Sequence, residues 1–116
     1  MGMNAIRGDK LRGHVETMVL SVLERSEAHG LEILRRLEAA GCGLLRLKEG
    51  SLYPALYRLE AAGTIKVVRE ETPPGCRGAP RRIYRLTEKG KRELARGRQE
   101  WAVFVRVIDS VVGGVA

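Results

Sequence analysis

A chain of 116 residues with only 4 % aromatics supports one small core, and Cys42 and Cys76, without a CxxC pair or paired histidines, point to neither a zinc site nor a disulfide framework. The net charge of +7 is uneven: residues 72–98 hold nine Lys/Arg against two Asp/Glu, whereas 1–50 hold eight against seven, 51–71 three against three and 99–116 one against two. That placement suits a polyanionic partner, because each cation set on a phosphate releases condensed counterions; a solvated basic face is the plainer alternative.

Residues 1–10 are polar, contain Gly2 and Gly8, and read as a flexible arm. From Leu11 the apolar positions Leu11, Val15, Met18, Val19, Val22 and Leu23 follow the spacing of an amphipathic helix expected to end near Ser26. A second helix is predicted over about 31–40, with Ile33, Leu34 and Leu37 inward and Glu32, Arg35, Arg36 and Glu38 outward, stopped by Gly41 and Gly43. The connector 41–49 exceeds a tight turn, and its Leu44, Leu45 and Leu47 need burial, so a packed loop with a short extended piece is expected.

The third helix organises the chain. Leu52, Leu56 and Leu59 stack on one face, which turns Tyr53, Tyr57 and Arg58 away from it. Pro54, lacking an N–H, places the start within about one turn upstream, with Ser51 or Gly50 as N-cap, and Gly63 supplies the stop. Thereafter the period changes to two: residues 64–71 and 81–86 read as strands, joined by a Pro- and Gly-rich turn over 72–80 that makes a basic hairpin tip. Thr87 caps a last helix over 88–112, in which Gly90 and Gly97 each cost ~1 kcal/mol relative to Ala. Leu94, Trp101 and Ile108 recur at seven, and Phe104, Val105, Val111 and Val112 widen the stripe, so this face is expected to cover a second chain.

Three helices, a hairpin and a terminal helix, in that order, make a mainly α fold with a small β-hairpin: a winged helix-turn-helix over 11–86 with a dimerisation helix over 87–116. Docking on double-stranded DNA then assigns the roles. Ser51, Tyr53, Tyr57 and Arg58 face the major groove, Lys48 meets a flanking phosphate, and Arg77, Arg81 and Arg82 form the wing contacts. Tyr84 fits either the core or a phosphate contact. Leu94, Trp101, Phe104, Val105 and Ile108 form the dimer seam, where Trp101 offers a flat platform for a planar effector or simply packs the interface.

The run Glu49-Gly50-Ser51-Leu52-Tyr53-Pro54-Ala55-Leu56-Tyr57-Arg58-Leu59-Glu60-Ala61-Ala62-Gly63, followed by Arg82-Ile83-Tyr84-Arg85-Leu86-Thr87-Glu88-Lys89-Gly90, resembles the PadR family of bacterial transcriptional regulators. His29-Gly30-Leu31-Glu32-Ile33 and Trp101 extend the likeness, which runs from Leu11 to Val112. The resemblance implies a dimeric repressor of an inverted-repeat operator, its last helix crossing the partner's first, released by a small molecule. Leu31 departs from an aromatic common in the family, and the single terminal helix matches its short-tailed branch.

Catalysis finds no support: His14 and His29 have no paired nucleophile, the glycines match no phosphate loop, and no carboxylate pair stands out. No cofactor or metal is implied. A dimeric interaction or ligand-sequestering module on the same fold is the rival reading. An RNA-binding winged helix would need more stacking aromatics. No stretch approaches the ~20 apolar residues of a membrane span, and no signal peptide is legible, so a cytoplasmic protein is expected.

Overall fold

The computed structural model describes residues 14–42, 44–75 and 78–113, together with the backbone of Ile6 and Arg7. In chain order the elements are β1 (Ile6–Arg7), α1 (Val15–Leu23), α2 (Gly30–Ala40), β2 (Leu45–Arg46), α3 (Glu49–Ala61), β3 (Ile65–Glu71), β4 (Arg81–Leu86) and α4 (Glu88–Val112). The expected architecture stands: α1 to α3 and the β3–β4 hairpin enclose one core, and α4 crosses α1 on its way out. Ile33, Leu52, Leu56, Ile65, Leu94 and Val19 are its most deeply buried large side chains.

Several boundaries differ from the sequence reading. Within the stretch read as an arm, Ile6–Arg7 pairs in parallel with Leu45–Arg46, the short extended piece foreseen in the connector; Leu45 and Leu47 are buried there. α1 ends at Leu23, three residues early. Arg36, expected to point outward, reaches back from α2 and donates to the carbonyls of Val22, Ser26 and Glu27 at 3.3, 2.9 and 3.3 Å, satisfying groups a helix end leaves unpaired. At the end of α2, Cys42 takes the left-handed φ of 54°, and the Gly41 before it admits no side chain, since a Cβ there would lie 2.4 Å from that of Leu45.

α3 is capped two residues before Gly50 and three before Ser51, the two caps expected. Lys48 is its N-cap, and its carbonyl accepts from both Ser51 N–H (3.0 Å) and Leu52 N–H (3.1 Å). Pro54 is therefore one turn and a half inside the helix; its missing N–H orphans the carbonyl of Gly50, which is exposed and open to water.

Beyond α3 the chain turns on Gly63, whose φ is +78°, and Thr64 is buried with its hydroxyl donating to the Leu59 carbonyl at 2.9 Å. β3 and β4 pair antiparallel from Ile65↔Leu86 to Glu71↔Arg81, with an irregularity between Val67 and Arg69 that leaves Val68 unpaired. On its other edge β4 exchanges two hydrogen bonds with Ala28, through Tyr84 N–H (2.9 Å) and Tyr84 C=O (3.1 Å). Tyr84 is only 4 % exposed, which resolves its ambiguity in favour of the core.

α4 is fastened to the end of α3. Thr87, the expected cap, accepts from Gly90 N–H at 3.0 Å while its hydroxyl donates to the Gly63 carbonyl at 2.7 Å. Its own N–H donates to the Thr64 carbonyl (3.1 Å), and Lys89 Nζ donates to that of Ala62 (2.6 Å). Further along, Gly97 lets α4 approach α1, since a Cβ there would sit 2.8 Å from Thr17, and Arg98 pairs with Glu24 at 2.9 Å.

Candidate nucleic-acid interface

The exposed side of α3 carries Ser51, Tyr57 and Arg58, with Lys48 exposed at its N-terminus; Tyr57 is 62 % exposed. Tyr53 behaves differently from expectation. It is half-buried, packed against the core and against the backbone of Gly30, where a Cβ would meet its hydroxyl at 2.8 Å. Its hydroxyl end lies over Gly30 and it lines the cleft beside the wing. Arg58 is also engaged, its Nε 2.5 Å from Oε1 of Glu16 on α1.

The wing is similarly occupied. Arg82 pairs with Glu60 of α3 at 2.9 Å and lies 5.7 Å from the centroid of the Tyr84 ring. Burial pushes the Tyr84 hydroxyl above its ordinary pKa, and the Arg82 charge opposes that rise. Arg69 is held by both Glu27 and Glu71. Arg81 has no carboxylate partner among the described residues, and its Nη1 stands 3.4 Å from Nε2 of His29. Arg77, expected at the wing tip, and Cys76 lie outside the described residues; Cys42 is exposed.

His29, set aside in the sequence as lacking a paired nucleophile, has a structural duty. It is the N-cap of α2, its Nδ1 accepting from Glu32 N–H at 3.2 Å. The signal that finds it is the glutamate three residues on, the spacing of a capping box. Burial, then the nearby Arg81 charge, lowers the His29 pKa from its ordinary value. Between α2, α3 and the wing lies a cleft of about 260 Å³ lined by His29, Tyr53, Tyr57, Arg81, Arg82 and Tyr84 among others. Its lining contains no carboxylate.

On α4 the stripe divides. Leu94, expected in the seam, is 1 % exposed and belongs to the core of its own chain, because α4 lies on α1 up to the Gly97 crossing. Beyond it Trp101, Phe104, Val105 and Ile108 are exposed, as are Val111 and Val112. Trp101 and Phe104 stack with centroids 5.5 Å apart, and the His14 ring meets Trp101 edge-on at 5.1 Å. Among the described residues, no helix is long and apolar enough to cross a membrane.

A three-helix domain with a basic hairpin wing and a protruding last helix is a winged-helix transcription regulator in architecture. A family model described as "Transcriptional regulator PadR-like family" matches residues 19–96, and the chain belongs to that family. It is similar to a transcriptional regulator from Clostridium thermocellum, 31 % identical, covering 88 % of this chain and 96 % of that one with a TM-score of 0.78. A PadR family regulator from Clostridium difficile is 30 % identical over 86 % of this chain and 99 % of that one, TM-score 0.70. A PadR-like regulator from Bacillus cereus is 25 % identical over 92 % and 99 %, TM-score 0.73. An uncharacterized protein of Lysinibacillus sphaericus is 28 % identical over 95 % of this chain and 98 % of its own length.

Proposed function

We propose that the protein is a homodimeric repressor that binds an inverted-repeat operator in double-stranded DNA. The observation that carries this reading is the meeting of α3 and the wing, where exposed Tyr57 lines a cleft bearing two arginines and no carboxylate and Ser51 is exposed on the same helix. Tyr57, Ser51 and the tip of Tyr53 reach base edges; Lys48, Arg58, Arg81, Arg82 and Arg77 serve phosphates. Arg58 and Arg82 come to DNA only by leaving Glu16 and Glu60. The apolar half of α4 joins two chains so that their α3 helices stand about one DNA turn apart, ~34 Å.

Trp101 and Phe104, stacked and exposed, suit a planar apolar or cationic effector at the two-fold seam. An effector that switches occupancy from 1:99 to 99:1 must favour one conformer by ~5.5 kcal/mol; a weaker one only tunes repression.

Selection of bound sequences from random duplex tests DNA binding, palindromy and spacing together. A palindrome with half-sites one turn apart supports the reading. Binding to the chain's own upstream region no tighter than to random duplex at physiological salt sinks it in favour of the ligand-sequestering module. Quenching of the lone tryptophan by a panel of planar compounds tests the effector, and an unresponsive Trp101 removes it.

A further inference from the structure

The contact between His29 and Arg81 brings together two nitrogens that both carry hydrogen. His29 Nδ1 spends its lone pair on Glu32 N–H, so the neutral ring bears its proton on Nε2. Arg81 Nη1, 3.4 Å from that Nε2, has no lone pair to offer. Neither group satisfies the other. The low pKa that burial and Arg81 impose on His29 agrees with a neutral ring near pH 7.

The acids near the pair are committed elsewhere: Glu32, whose charge acts on His29, pairs with Arg36 at 3.4 Å. Glu71 stands opposite Arg81 in the hairpin register, yet its carboxylate is taken by Arg69, and Glu60 is taken by Arg82. The cleft lining adds only phenols and another guanidinium as charged or polar side chains. At its floor, Gly30 and Leu31 open α2, where helix geometry leaves backbone N–H groups without intrahelical acceptors. The missing component is a compact anionic acceptor.

We propose that His29 Nε2–H and Arg81 together hold one oxyanion of a DNA backbone phosphodiester, which docks in the cleft between the start of α2 and the wing. This rests on the DNA-binding reading above, since the cleft adjoins α3 and the wing, the two elements placed on the duplex. His29 thus has two duties: its Nδ1 caps α2, and its Nε2 binds phosphate as an uncharged donor. The contact carries no base information, so it adds affinity to any duplex.

Fluorescence anisotropy with the selected operator and with random duplex, across a salt series, tests it. Asn is itself a good N-cap but falls short of the cleft, so His29→Asn keeps α2 while losing the phosphate donor. Affinity for both duplexes is expected to fall about tenfold with an unchanged salt slope, because a neutral donor is lost. Arg81→Gln is expected to weaken binding and to reduce the slope by about one ion. The double variant should lose less than the sum of the two, as groups sharing one acceptor do. A methylphosphonate at the contacted position should weaken the wild type at least as much as His29→Asn does, a readout requiring no folded mutant, and should weaken that variant less, because only Arg81 is then left on the phosphate.

Wild-type affinity in His29→Asn, with an unchanged melting curve, overturns the proposal. So does inorganic phosphate that shifts the His29 ring resonances yet displaces duplex no more effectively than chloride at equal ionic strength, since the site would then take the free anion and not the DNA backbone. A wild type that binds no duplex is a different failure: it removes the regulator reading before any variant is made.

Discussion

Gly90→Ala separates helix propensity from packing with opposite signs. Propensity alone makes the substitution stabilising by ~1 kcal/mol, since Gly90 lies in the first turn of α4. A Cβ there would fall 2.1 Å from the Thr64 carbonyl oxygen and 2.6 Å from Cδ1 of Leu86. The leucine methyl can rotate away; the carbonyl cannot, because it accepts the Thr87 N–H at 3.1 Å. Relief requires α4 to retreat by roughly 1 Å, straining that bond and the Thr87 hydroxyl's bond to Gly63. Overpacking of about 1–3 kcal/mol and the ~1 kcal/mol of a weakened hydrogen bond outweigh the propensity gain, leaving about 2 kcal/mol of destabilisation. For a domain near this size that lowers Tm by roughly 10 °C. Circular dichroism melts at one fixed protein concentration read it. Gly50→Ala is the control: Gly50 is exposed within α3 and has open space at its Cβ position, so that variant should gain up to about 1 kcal/mol. If Gly90→Ala melts at or above the wild type while Gly50→Ala behaves as stated, the close approach of α4 to Thr64 is wrong.

Leu94→Ala and Trp101→Asp should dissect the two halves of α4. The first empties a buried site and should cost about 2–5 kcal/mol while leaving the association state in sedimentation velocity unchanged; the second should yield monomers, and a persistent dimer would move the interface elsewhere. Glu16→Gln releases Arg58 from an exposed pair, so stability should change by less than about 1 kcal/mol while DNA affinity rises and its salt slope steepens; an unchanged slope would show that Arg58 reaches no phosphate. His29 contributes to acid sensitivity. Its folded pKa lies below the unfolded value of about 6.5, so the unfolded chain takes up the proton first; the stability this gives is present above that value and disappears as pH falls through the folded pKa. Urea midpoints compared at pH 7.5 and 5 should fall at the lower pH, and His29→Asn should remove that part of the decline.

Local signals made the element order legible. Thr87 followed by charged helix formers, the run rich in β-branched residues at 65–68 and the leucines of α3 each fix an element from nearest-neighbour chemistry, and each element is present in the expected order. What escaped depends on distance along the chain. Glu16 meets Arg58 across 42 residues and Glu60 meets Arg82 across 22, and no spacing rule ties such pairs together. Leu94 escaped for another reason: a heptad stripe records that a helix face is apolar without recording which chain covers it. The start of α3 was misplaced because Pro54 was read as forbidding interior positions, whereas an exposed glycine one turn back lets solvent replace the bond.

The bonds from Thr87 and Lys89 to the carbonyls of Ala62, Gly63 and Thr64 make a stiff elbow between α3, proposed to meet DNA, and α4, proposed to meet a second copy. With 25 residues at ~1.5 Å each, α4 extends about 37 Å, so a swing of about 5° at the elbow sweeps its far end by about 3 Å. A slack joint would absorb such a movement. This one makes the Trp101 end a long lever on the orientation of Tyr57, so that, on the dimeric reading proposed above, a displacement at the far end of α4 would alter the fit of both α3 helices to DNA without touching either.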